Sequence, residues 1–343
     1  MNARLLLLAL GLGLALLSGG VRAEDDEPLP YAERPEVDRF VLDLVERHDF
    51  KADELRQVFA GARREEAVLT AMRAQPRQAD SWEAYRALFV NDRHVRSGLE
   101  FWRANRSSLA RARATYGVPE EIIIAIIGIE TFYGRNTGRW RVIDALSTLA
   151  FDYPPRAPFF RSELENYLLF VRDMDLDVFS VKGSYAGAIG IPQFMPGSYL
   201  RYAVDFDGDG ASDLQRNAAD AIGSVANFLR RHGWQPGDPV QRRVREPGPA
   251  PEPFVSTDPM PRNTLAELEE AGVRVQGAPL PPETRAVLLR LETPEQPAEY
   301  RLGLQNFYVL TRYNRSLFYA LSVSDLADAL RAEQRRARRG RRG

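Results

Sequence analysis

Glu130 is the residue whose type and surroundings best suit acid–base chemistry. It follows a run of apolar, largely β-branched residues at positions 122–129, and Thr131-Phe132-Tyr133-Gly134 come after it. Burial against aliphatic and aromatic side chains disfavours an ionised carboxyl group and raises its pKa. A carboxyl group with a raised pKa suits a general acid that works near neutral pH. The alternative is a glutamate that reaches solvent or pairs with Arg135 or Arg139.

The apolar run before Glu130 has the features of a buried helix. Pro119 stands at a first helical position and Glu120 and Glu121 follow it, which is a helix-start signal. The many β-branched residues would by themselves also permit a buried strand. The start signal and the length of the run favour a helix that carries Glu130 near its end.

A second segment, residues 182–196, is rich in small residues and has the sequence KGSYAGAIGIPQFMP. Glycine lets backbones approach closely and leaves room for a ligand. Ser184, Gln193 and the aromatic side chains of this segment offer the hydrogen bonds and flat faces that sugars need. The alternative is a tight crossing of two helices built from glycine and alanine, and the segment alone leaves both interpretations open.

A third segment, residues 205–213, has the spacing of a calcium loop. Oxygen ligands occupy loop positions 1, 3, 5 and 9, and a glycine occupies position 6. Position 12 is Arg216 instead of the usual bidentate glutamate, so Asp220 is the candidate for the last oxygen. The alternative is an acidic, solvated turn. We expect one structural calcium ion and no organic cofactor. The candidate ligands are Asp205, Asp207, Asp209, Asp213 and Asp220.

Several classes of protein are disfavoured by the composition. The sequence contains no cysteine, which excludes disulfides, thiolate metal sites and a cysteine nucleophile. His48, His94 and His232 are far apart and form no HExxH motif, and there is no G-x-S-x-G elbow, so zinc and serine hydrolases are disfavoured. The formal net charge of −1 gives the whole molecule no electrostatic bias towards nucleic acid or a membrane.

Residues 1–23 have the composition of a secretory signal peptide. Arg4 precedes an apolar run at positions 5–17, and Val21-Arg22-Ala23 provides a small-x-Ala cleavage site. The run is shorter than the roughly 20 residues of a membrane span, although an uncleaved N-terminal anchor is the alternative. We expect a periplasmic protein that is exported by a cleavable signal and, without a cysteine, has no lipid anchor.

The rest of the chain divides by its hydrophobic pattern. Residues 24–115 have the apolar spacing of helices. Eight prolines between Pro236 and Pro261 mark an irregular approach to a new subdomain. After a short helical stretch at 265–271, residues 286–291 and 300–313 are predicted to be strands.

The C-terminal part returns to a helical pattern. Residues 316–331 have helical spacing of apolar side chains. We expect the basic tail, residues 332–343, to be disordered, and it would allow an electrostatic contact with an anionic cell-wall polymer.

Five motifs, taken together, resemble the lytic murein transglycosylase B family. They occur in the family's order, and the resemblance extends from about residue 37 to residue 330. The motifs are residues 128–135, 144–149, 183–188, 193–196 and 306–314.

The resemblance implies a fold and a set of site residues. The fold would be mainly α (α+β), with a lysozyme-like helical core, an N-terminal helical region and a small inserted β-rich subdomain. Glu130 matches the family's catalytic glutamate, and its calcium loop maps onto Asp205, Asp207, Asp209 and, after a one-residue longer loop, Asp220. After the signal peptide, we expect the chain to divide into five regions. They are an N-terminal helical region (24–115), the catalytic core with the calcium loop (116–235), the Pro-rich entry and β-rich subdomain (236–302), the return to the core with the C-terminal helix (303–331), and the basic tail (332–343). Positions that match the family's glycan cleft are Ser184, Gln193, Phe194, Met195, Tyr153, Tyr202, Tyr313 and Asn314.

The resemblance also implies a reaction. In the family, the glutamate protonates the glycosidic oxygen between N-acetylmuramic acid and N-acetylglucosamine, and the 2-acetamido group stabilises the cationic centre. The carboxylate then takes the proton of the muramoyl C6 hydroxyl, which closes a 1,6-anhydro ring without water. Glycosidases normally use two carboxyl groups, and Glu130 alone has a suitable setting here. Two alternatives are a hydrolytic muramidase and a non-catalytic, calcium-dependent glycan-binding protein.

The expected partners follow from this reaction. We expect a monomer that binds peptidoglycan glycan strands and no nucleic acid. Cell-wall synthesis proteins are further candidate partners.

Overall fold

A computed structural model describes residues 29–74, 81–294 and 297–340. The predicted signal peptide lies outside these residues. In the described residues there are fourteen α-helices and seven β-strands. The helices are α1 (Pro35–His48), α2 (Ala52–Gly61), α3 (Glu66–Arg73), α4 (Trp82–Phe89), α5 (Asp92–Ala104), α6 (Arg106–Tyr116), α7 (Glu120–Thr131), α8 (Val142–Phe151), α9 (Ala157–Asp173), α10 (Pro196–Tyr202), α11 (Ala218–Arg231), α12 (Leu265–Glu270), α13 (Gln305–Tyr313) and α14 (Leu317–Gly340). The strands are β1 (Trp140–Arg141), β2 (Lys182–Gly183), β3 (Gln241–Glu246), β4 (Asn263–Thr264), β5 (Arg274–Val275), β6 (Arg285–Leu291) and β7 (Glu299–Gly303). The fold is mainly helical with a small sheet subdomain, as predicted.

Helix α7 lies at the centre of the molecule and confirms the predicted buried helix. Its side chains from Ile122 to Ile127 are buried on every face. It packs against α5, α6, α11 and α14, so that both the N-terminal and the C-terminal helices enclose it. Each fully buried isoleucine contributes roughly 1.5–3 kcal/mol relative to an exposed one. This burial places the end of α7, with Glu130, at a fixed position in the core.

The β-rich subdomain is a five-stranded antiparallel sheet with the order β4-β6-β7-β3-β5. Strand β6 is buried on both faces. Its side chains Val287, Leu289 and Leu291 belong to the main core, whereas Ala286 and Leu288 belong to a smaller core around α12. The Pro-rich segment that begins at Pro236 contains β3, which pairs with both β7 and β5.

One predicted strand is partly wrong. Residues 300–313 were expected to be extended, but the strand ends at Gly303 and α13 follows it. Asn306, Phe307, Val309 and Leu310 are buried on one side of α13, which is a helical spacing of three to four residues. Aromatic and β-branched side chains favour strands by composition, and here the packing on the core overrides that preference.

The predicted disorder of the basic tail is also wrong for the residues that the structure describes. Helix α14 continues from Leu317 to Gly340 without a break at residue 331. Alanine, arginine, glutamate and glutamine in this stretch are good helix formers, which explains the continuation. Arg336 also pairs with Glu333 one turn earlier, and arginines near a helix C-terminus interact favourably with its dipole.

A buried ionic cluster joins the sheet to the helices. Arg301 of β7 is 1% exposed, and its Nη1 and Nη2 atoms donate to the Asp325 carboxylate of α14 at 2.5 and 3.1 Å. Arg86 of α4 donates to the same carboxylate at 2.6 Å. The Arg301 guanidinium lies 5.3 Å from the centre of the Trp82 ring and also pairs with Glu299 at 2.7 Å. Three separate parts of the chain are therefore connected through one aspartate.

Within the described residues, no helix is both long enough and apolar enough to span a lipid bilayer.

Candidate active site

The end of α7 is held by a tight turn that follows Glu130. Thr131 is the last helical residue, and Phe132 and Tyr133 both have positive φ angles, 49° and 64°. Thr131 Oγ1 donates to the Ile191 carbonyl at 2.8 Å and accepts the Gly134 amide at 2.9 Å. The turn therefore ties Glu130 to the small-residue segment, residues 182–196. Left-handed backbone at two consecutive non-glycine residues is costly and is common near active sites.

Glu130 is partly buried and is surrounded by tyrosines. Tyr319 Oη donates a hydrogen bond to Glu130 Oε1 at 2.7 Å. Tyr85 and Tyr313 lie close enough for the charge of Glu130 to raise the pKa of each phenol, beyond the larger effect of burial. Burial raises the pKa of Glu130 to about 7, and the Tyr319 hydrogen bond opposes that rise. A carboxyl group in this state is protonated in part at neutral pH and can both donate and accept a proton.

The alternative of an ion pair for Glu130 is wrong. Arg135 pairs instead with Glu100 at 3.7 Å, and the Arg139 guanidinium lies 5.1 Å from the centre of the Trp140 ring. In the described part of the chain, the only side-chain hydrogen bond of Glu130 is the one from Tyr319.

The small-residue segment is a compact loop, and so the helix-crossing alternative is also wrong. Gly183 pairs with Ile189, and Ile189 pairs with Phe194, as isolated antiparallel bridges. Ser184 Oγ accepts the amides of Ala186 and Ala188 at 3.2 and 3.0 Å. The small residues allow close backbone contact, since a Cβ atom on Gly183 would lie 2.3 Å from the Ala188 carbonyl oxygen.

Gln193 has a constrained position beside this loop. Its φ angle is 51°, and its side-chain amide donates to the carbonyls of Thr137 and Gly190 at 3.1 and 2.9 Å. These bonds leave the amide oxygen of Gln193 as the atom with acceptor capacity for a ligand. Met195, two residues later, is partly buried.

An aromatic cluster links this loop to the return of the chain into the core. Tyr313 Oη donates to the Pro192 carbonyl at 2.6 Å, and the Tyr313 ring lies 5.8 Å from Phe194. Phe228 contacts Phe194, Tyr313 and Tyr202 at centroid distances of 5.7, 4.9 and 5.0 Å. Phe194 is only 2% exposed, so it supports Tyr313 and offers little surface of its own.

Two of the predicted cleft residues, Tyr153 and Asn314, have no hydrogen bond or ring contact with Glu130 among the described residues. Tyr153 lies at a 3-10 turn, with its ring 6.5 Å from Phe160. Asn314 is exposed at the end of α13, where its side chain accepts the Ser316 amide at 3.1 Å.

Two residues near Glu130 were missed by the sequence interpretation. Tyr319 lies in the first turn of α14, and Tyr85 lies in α4. Tyr319 is buried in the main core, and the Tyr85 ring lies 5.6 Å from that of Phe318. Their spacing carries no signal for a function, because only the folded chain brings them to Glu130.

The predicted calcium loop brings three of its five carboxylates together. One side-chain oxygen from each of Asp205, Asp207 and Asp209 lies within 4.8 Å of the others, and all three residues are exposed. Carboxylate oxygens are the ligands that calcium prefers, so this donor set fits the ion. Asp205 also accepts the amides of Gly208 and Gly210 at 2.7 and 2.8 Å, which holds the loop curved around these oxygens.

Asp213 and Asp220 lie outside that group of oxygens. Asp220 is fully buried, and its two oxygens accept the amides of Phe206 and Asp213 at 2.7 and 2.8 Å. Asp213 Oδ1 accepts the amides of Gln215 and Arg216. Both carboxylates thus hold the ends of the loop in this structure.

The fold and the site together define a class of protein. A lysozyme-like helical core carries the partly buried carboxyl group of Glu130 at the end of its central helix, with tyrosines beside it, and the chain also has a calcium-type loop. This arrangement is that of an enzyme that cleaves glycosidic bonds.

Comparison with known proteins gives the family. The model of the transglycosylase SLT domain matches residues 32–328. Membrane-bound lytic murein transglycosylase B of Escherichia coli is 40% identical over 310 residues, which cover 88% of this chain and 84% of that protein. The chain belongs to the lytic murein transglycosylase B family, and it is a peptidoglycan lytic transglycosylase.

Solved structures agree with this assignment. The crystal structure of soluble lytic transglycosylase SltB1 from Pseudomonas aeruginosa is similar with a TM-score of 0.83 and 43% identity, covering 88% of this chain and 99% of that one. The Escherichia coli lytic transglycosylase Slt35 in complex with calcium is similar with a TM-score of 0.80 and 41% identity, covering 88% and 95%.

Proposed function

We propose that Glu130 is the sole acid–base residue of the transglycosylase reaction. The observation that carries this proposal is the partly buried carboxyl group whose pKa is raised to about 7 by burial. Tyr319 donates a hydrogen bond to Glu130 Oε1. Glu130 Oε2 would therefore be the atom that gives the proton to the leaving oxygen. The central test is the replacement of Glu130 by glutamine.

The proposed reaction has two proton transfers through the same carboxyl group. Protonated Glu130 donates to the glycosidic oxygen, and the bond from that oxygen to the anomeric carbon of N-acetylmuramic acid breaks. The resulting carboxylate then accepts the proton of the muramoyl C6 hydroxyl, whose oxygen forms a new bond to the anomeric carbon. Glu130 is protonated again at the end, and no water is consumed.

The rival hydrolytic reaction differs only in the group that attacks the anomeric carbon. Water would replace the C6 hydroxyl, and the muramic product would be heavier by one water molecule. Mass spectrometry of the products released from purified peptidoglycan therefore distinguishes the two reactions. A non-catalytic glycan-binding protein would release no soluble fragment at all.

Removal of the Tyr319 hydroxyl is expected to shift the pH dependence of the reaction. The hydrogen bond from Tyr319 favours ionised Glu130 and lowers its pKa. Tyr319→Phe should therefore raise that pKa, keep the acid protonated at higher pH, and move the alkaline limb of kcat/KM upward by about one pH unit. The measurement is the pH profile of glycan cleavage.

Tyr167→Phe provides the matched control for this experiment. Tyr167 is also buried, and its hydroxyl donates to the Val178 carbonyl at 2.6 Å. Its replacement should lower stability without moving the profile. An alkaline limb that stays in place in Tyr319→Phe would contradict the role given to this hydrogen bond.

We further propose that Asp205, Asp207 and Asp209 hold one structural calcium ion. Support comes from the fit of three clustered carboxylates to this ion and from the calcium complex of the similar Slt35 enzyme. Bound calcium would neutralise the mutual repulsion of these carboxylates and so stabilise the loop before α11. Glu130 and the reaction would not involve the ion.

Calcium is then expected to raise the melting temperature of the protein. At a calcium concentration 100-fold above its dissociation constant, the gain in unfolding free energy is about 2.7 kcal/mol, which corresponds to several degrees. The Asp205→Asn/Asp209→Asn double variant should lose this response, whereas Asp213→Asn should keep it. If calcium leaves the melting temperature of the unaltered protein unchanged, the site is not structural.

We propose a periplasmic location, supported by the signal-like composition of residues 1–23. Cleavage after Ala23 would leave Glu24 as the N-terminus, which N-terminal sequencing of the exported protein tests. The glycan strand is the proposed partner. Contact with cell-wall synthesis proteins and a monomeric state remain predictions.

A further inference from the structure

Three arginines from three helices converge on one groove that Glu130 does not line. Arg103 of α5, Arg106 of α6 and Arg338 of α14 line a groove of about 360 Å³. All three side chains belong to exposed residues, and none forms an ion pair within the described part of the chain. No aspartate or glutamate lines this groove. Glu120 accepts the indole N–H of Trp102, which lines the groove, at 2.5 Å.

The floor of the groove is apolar. Leu99 and Trp102 line it from α5, and Ala337 lines it from α14. Trp102 is 6% exposed, whereas Leu99 is partly buried and reaches the groove. An apolar floor beneath three guanidinium groups suits a ligand that is itself amphiphilic, with an anionic group and an apolar part.

The groove continues as a longer seam between α5 and α14. Leu99 also lines a neighbouring groove of about 550 Å³. Its further apolar lining comes from α5, from α14 and from the residue that ends α4. Its charged groups are Arg96, Arg336, Asp92 and Glu333, of which Arg336 and Glu333 pair with each other. The apolar residues are Val90, Val95, Ala329 and Ala332. The seam as a whole is therefore apolar along its floor and mainly cationic at its edge.

This local charge differs from that of the whole molecule. The chain has 46 basic and 47 acidic residues, yet the groove collects three arginines without a counter-charge. Guanidinium groups that face each other without an anion repel, and a phosphate group would relieve that repulsion through bidentate hydrogen bonds. The extension of α14 beyond residue 331 is what brings Arg338 to the other two arginines.

We propose that this seam binds the anionic phospholipids of a membrane surface. The lipid phosphate would lie between Arg103, Arg106 and Arg338, and the apolar part of the lipid would contact Leu99. The apolar floor favours a lipid over a purely polar anionic polymer such as a glycan strand. Binding of this kind would hold the enzyme at a membrane face by a reversible contact of folded helices. The proposal is independent of the role of Glu130.

Vesicle sedimentation tests the proposal. We expect the purified protein to sediment with vesicles that contain 30% phosphatidylglycerol in phosphatidylcholine, and to stay in the supernatant with phosphatidylcholine alone. Each arginine near such a surface contributes a factor of about five in affinity. The Arg103→Gln/Arg106→Gln/Arg338→Gln variant should therefore bind about 100-fold more weakly. Binding of the unaltered protein should also fall at 1 M salt, where screening is strong.

A matched control removes the same charge elsewhere. Arg245, Arg274 and Arg290 are exposed on the sheet subdomain, and their replacement by glutamine should leave vesicle binding within about twofold. All variants carry the same N-terminus, so any contribution from residues 1–23 cancels in the comparison. Cleavage of soluble glycan fragments should be the same in both triple variants and in the unaltered protein.

Three outcomes would overturn the proposal. The first is no sedimentation with phosphatidylglycerol vesicles. The second is equal binding by the groove variant and the control variant, which would assign the effect to overall charge. The third is loss of binding to purified peptidoglycan in the groove variant, without a change in vesicle binding, which would assign the groove to a cell-wall polymer. Free inorganic phosphate at millimolar concentration should not displace the protein from vesicles, since it lacks the apolar part.

Discussion

Glu130→Gln is expected to abolish glycan cleavage while the protein stays folded. Glutamine has nearly the same shape, but it has no proton of suitable acidity to donate and cannot accept one from the C6 hydroxyl. Because one carboxyl group performs both transfers, cleavage should fall by at least about 10³-fold. The measurement is the release of anhydro-muropeptides from purified peptidoglycan, followed by mass spectrometry.

The same variant should gain stability at alkaline pH. The pKa of Glu130 is raised from 4.5 to about 7 by burial, so ionisation of this group disfavours the folded state. This penalty is absent below pH 4.5, grows between pH 4.5 and 7, and is complete above pH 7, where it amounts to about 3 kcal/mol. Glu130→Gln should therefore melt at a higher temperature than the unaltered protein at pH 8, and at nearly the same temperature at pH 4.

Glu121→Gln is the control on the same helix. Glu121 is paired with Arg331 at 3.7 Å and lies at the start of α7, so its replacement should leave cleavage intact. Substantial turnover in Glu130→Gln would show that another group supplies the proton. Loss of folding in that variant at every pH would contradict the stability argument.

Asp325→Asn is expected to cost about 3–5 kcal/mol of unfolding free energy. Asp325 is 5% exposed and is the shared anion of Arg301 and Arg86. Its loss leaves the buried Arg301 guanidinium with Glu299 as its remaining anion, and an undercompensated buried charge is strongly destabilising. The measurement is the urea midpoint and slope of unfolding.

Two further variants make this experiment specific. Asp258→Asn breaks an exposed ion pair with Arg262 and should cost less than about 1 kcal/mol. An Arg301→Met/Asp325→Leu double variant removes both charges and should recover much of the stability lost in Asp325→Asn. A small effect of Asp325→Asn would mean that water reaches this cluster and solvates Arg301.

Local signals in the sequence were sufficient for the element that carries the acid. The start signal at Pro119 and the apolar run of α7 predicted both the helix and the partial burial of Glu130. The partner of that acid could not be predicted in the same way. Tyr319 is 189 residues away along the chain, and its hydrogen bond depends on how α14 packs against α7.

The two errors in secondary structure have a common physical origin. At residues 305–313 composition favoured a strand, and at residues 332–340 polarity favoured disorder, yet both stretches form helices. Packing on the core determines the first case, and intrinsic helix propensity with charge pairs at helical spacing determines the second. The family resemblance assigned residues to the cleft by their position in a motif, and such a position does not say whether a side chain is exposed. Phe194 is one of these residues, and it is buried beside Tyr313.

Strand β6 affects how the molecule unfolds. Its side chains alternate between the main core and the small core of the sheet subdomain. Because β6 belongs to both cores, one core cannot unfold without exposing the side chains that β6 contributes to the other. The amide hydrogens of β6 should then exchange with deuterated solvent only through unfolding of the whole chain, as slowly as those of α7. The inserted sheet would behave in such an experiment as part of one cooperative unit with the helix that carries the acid.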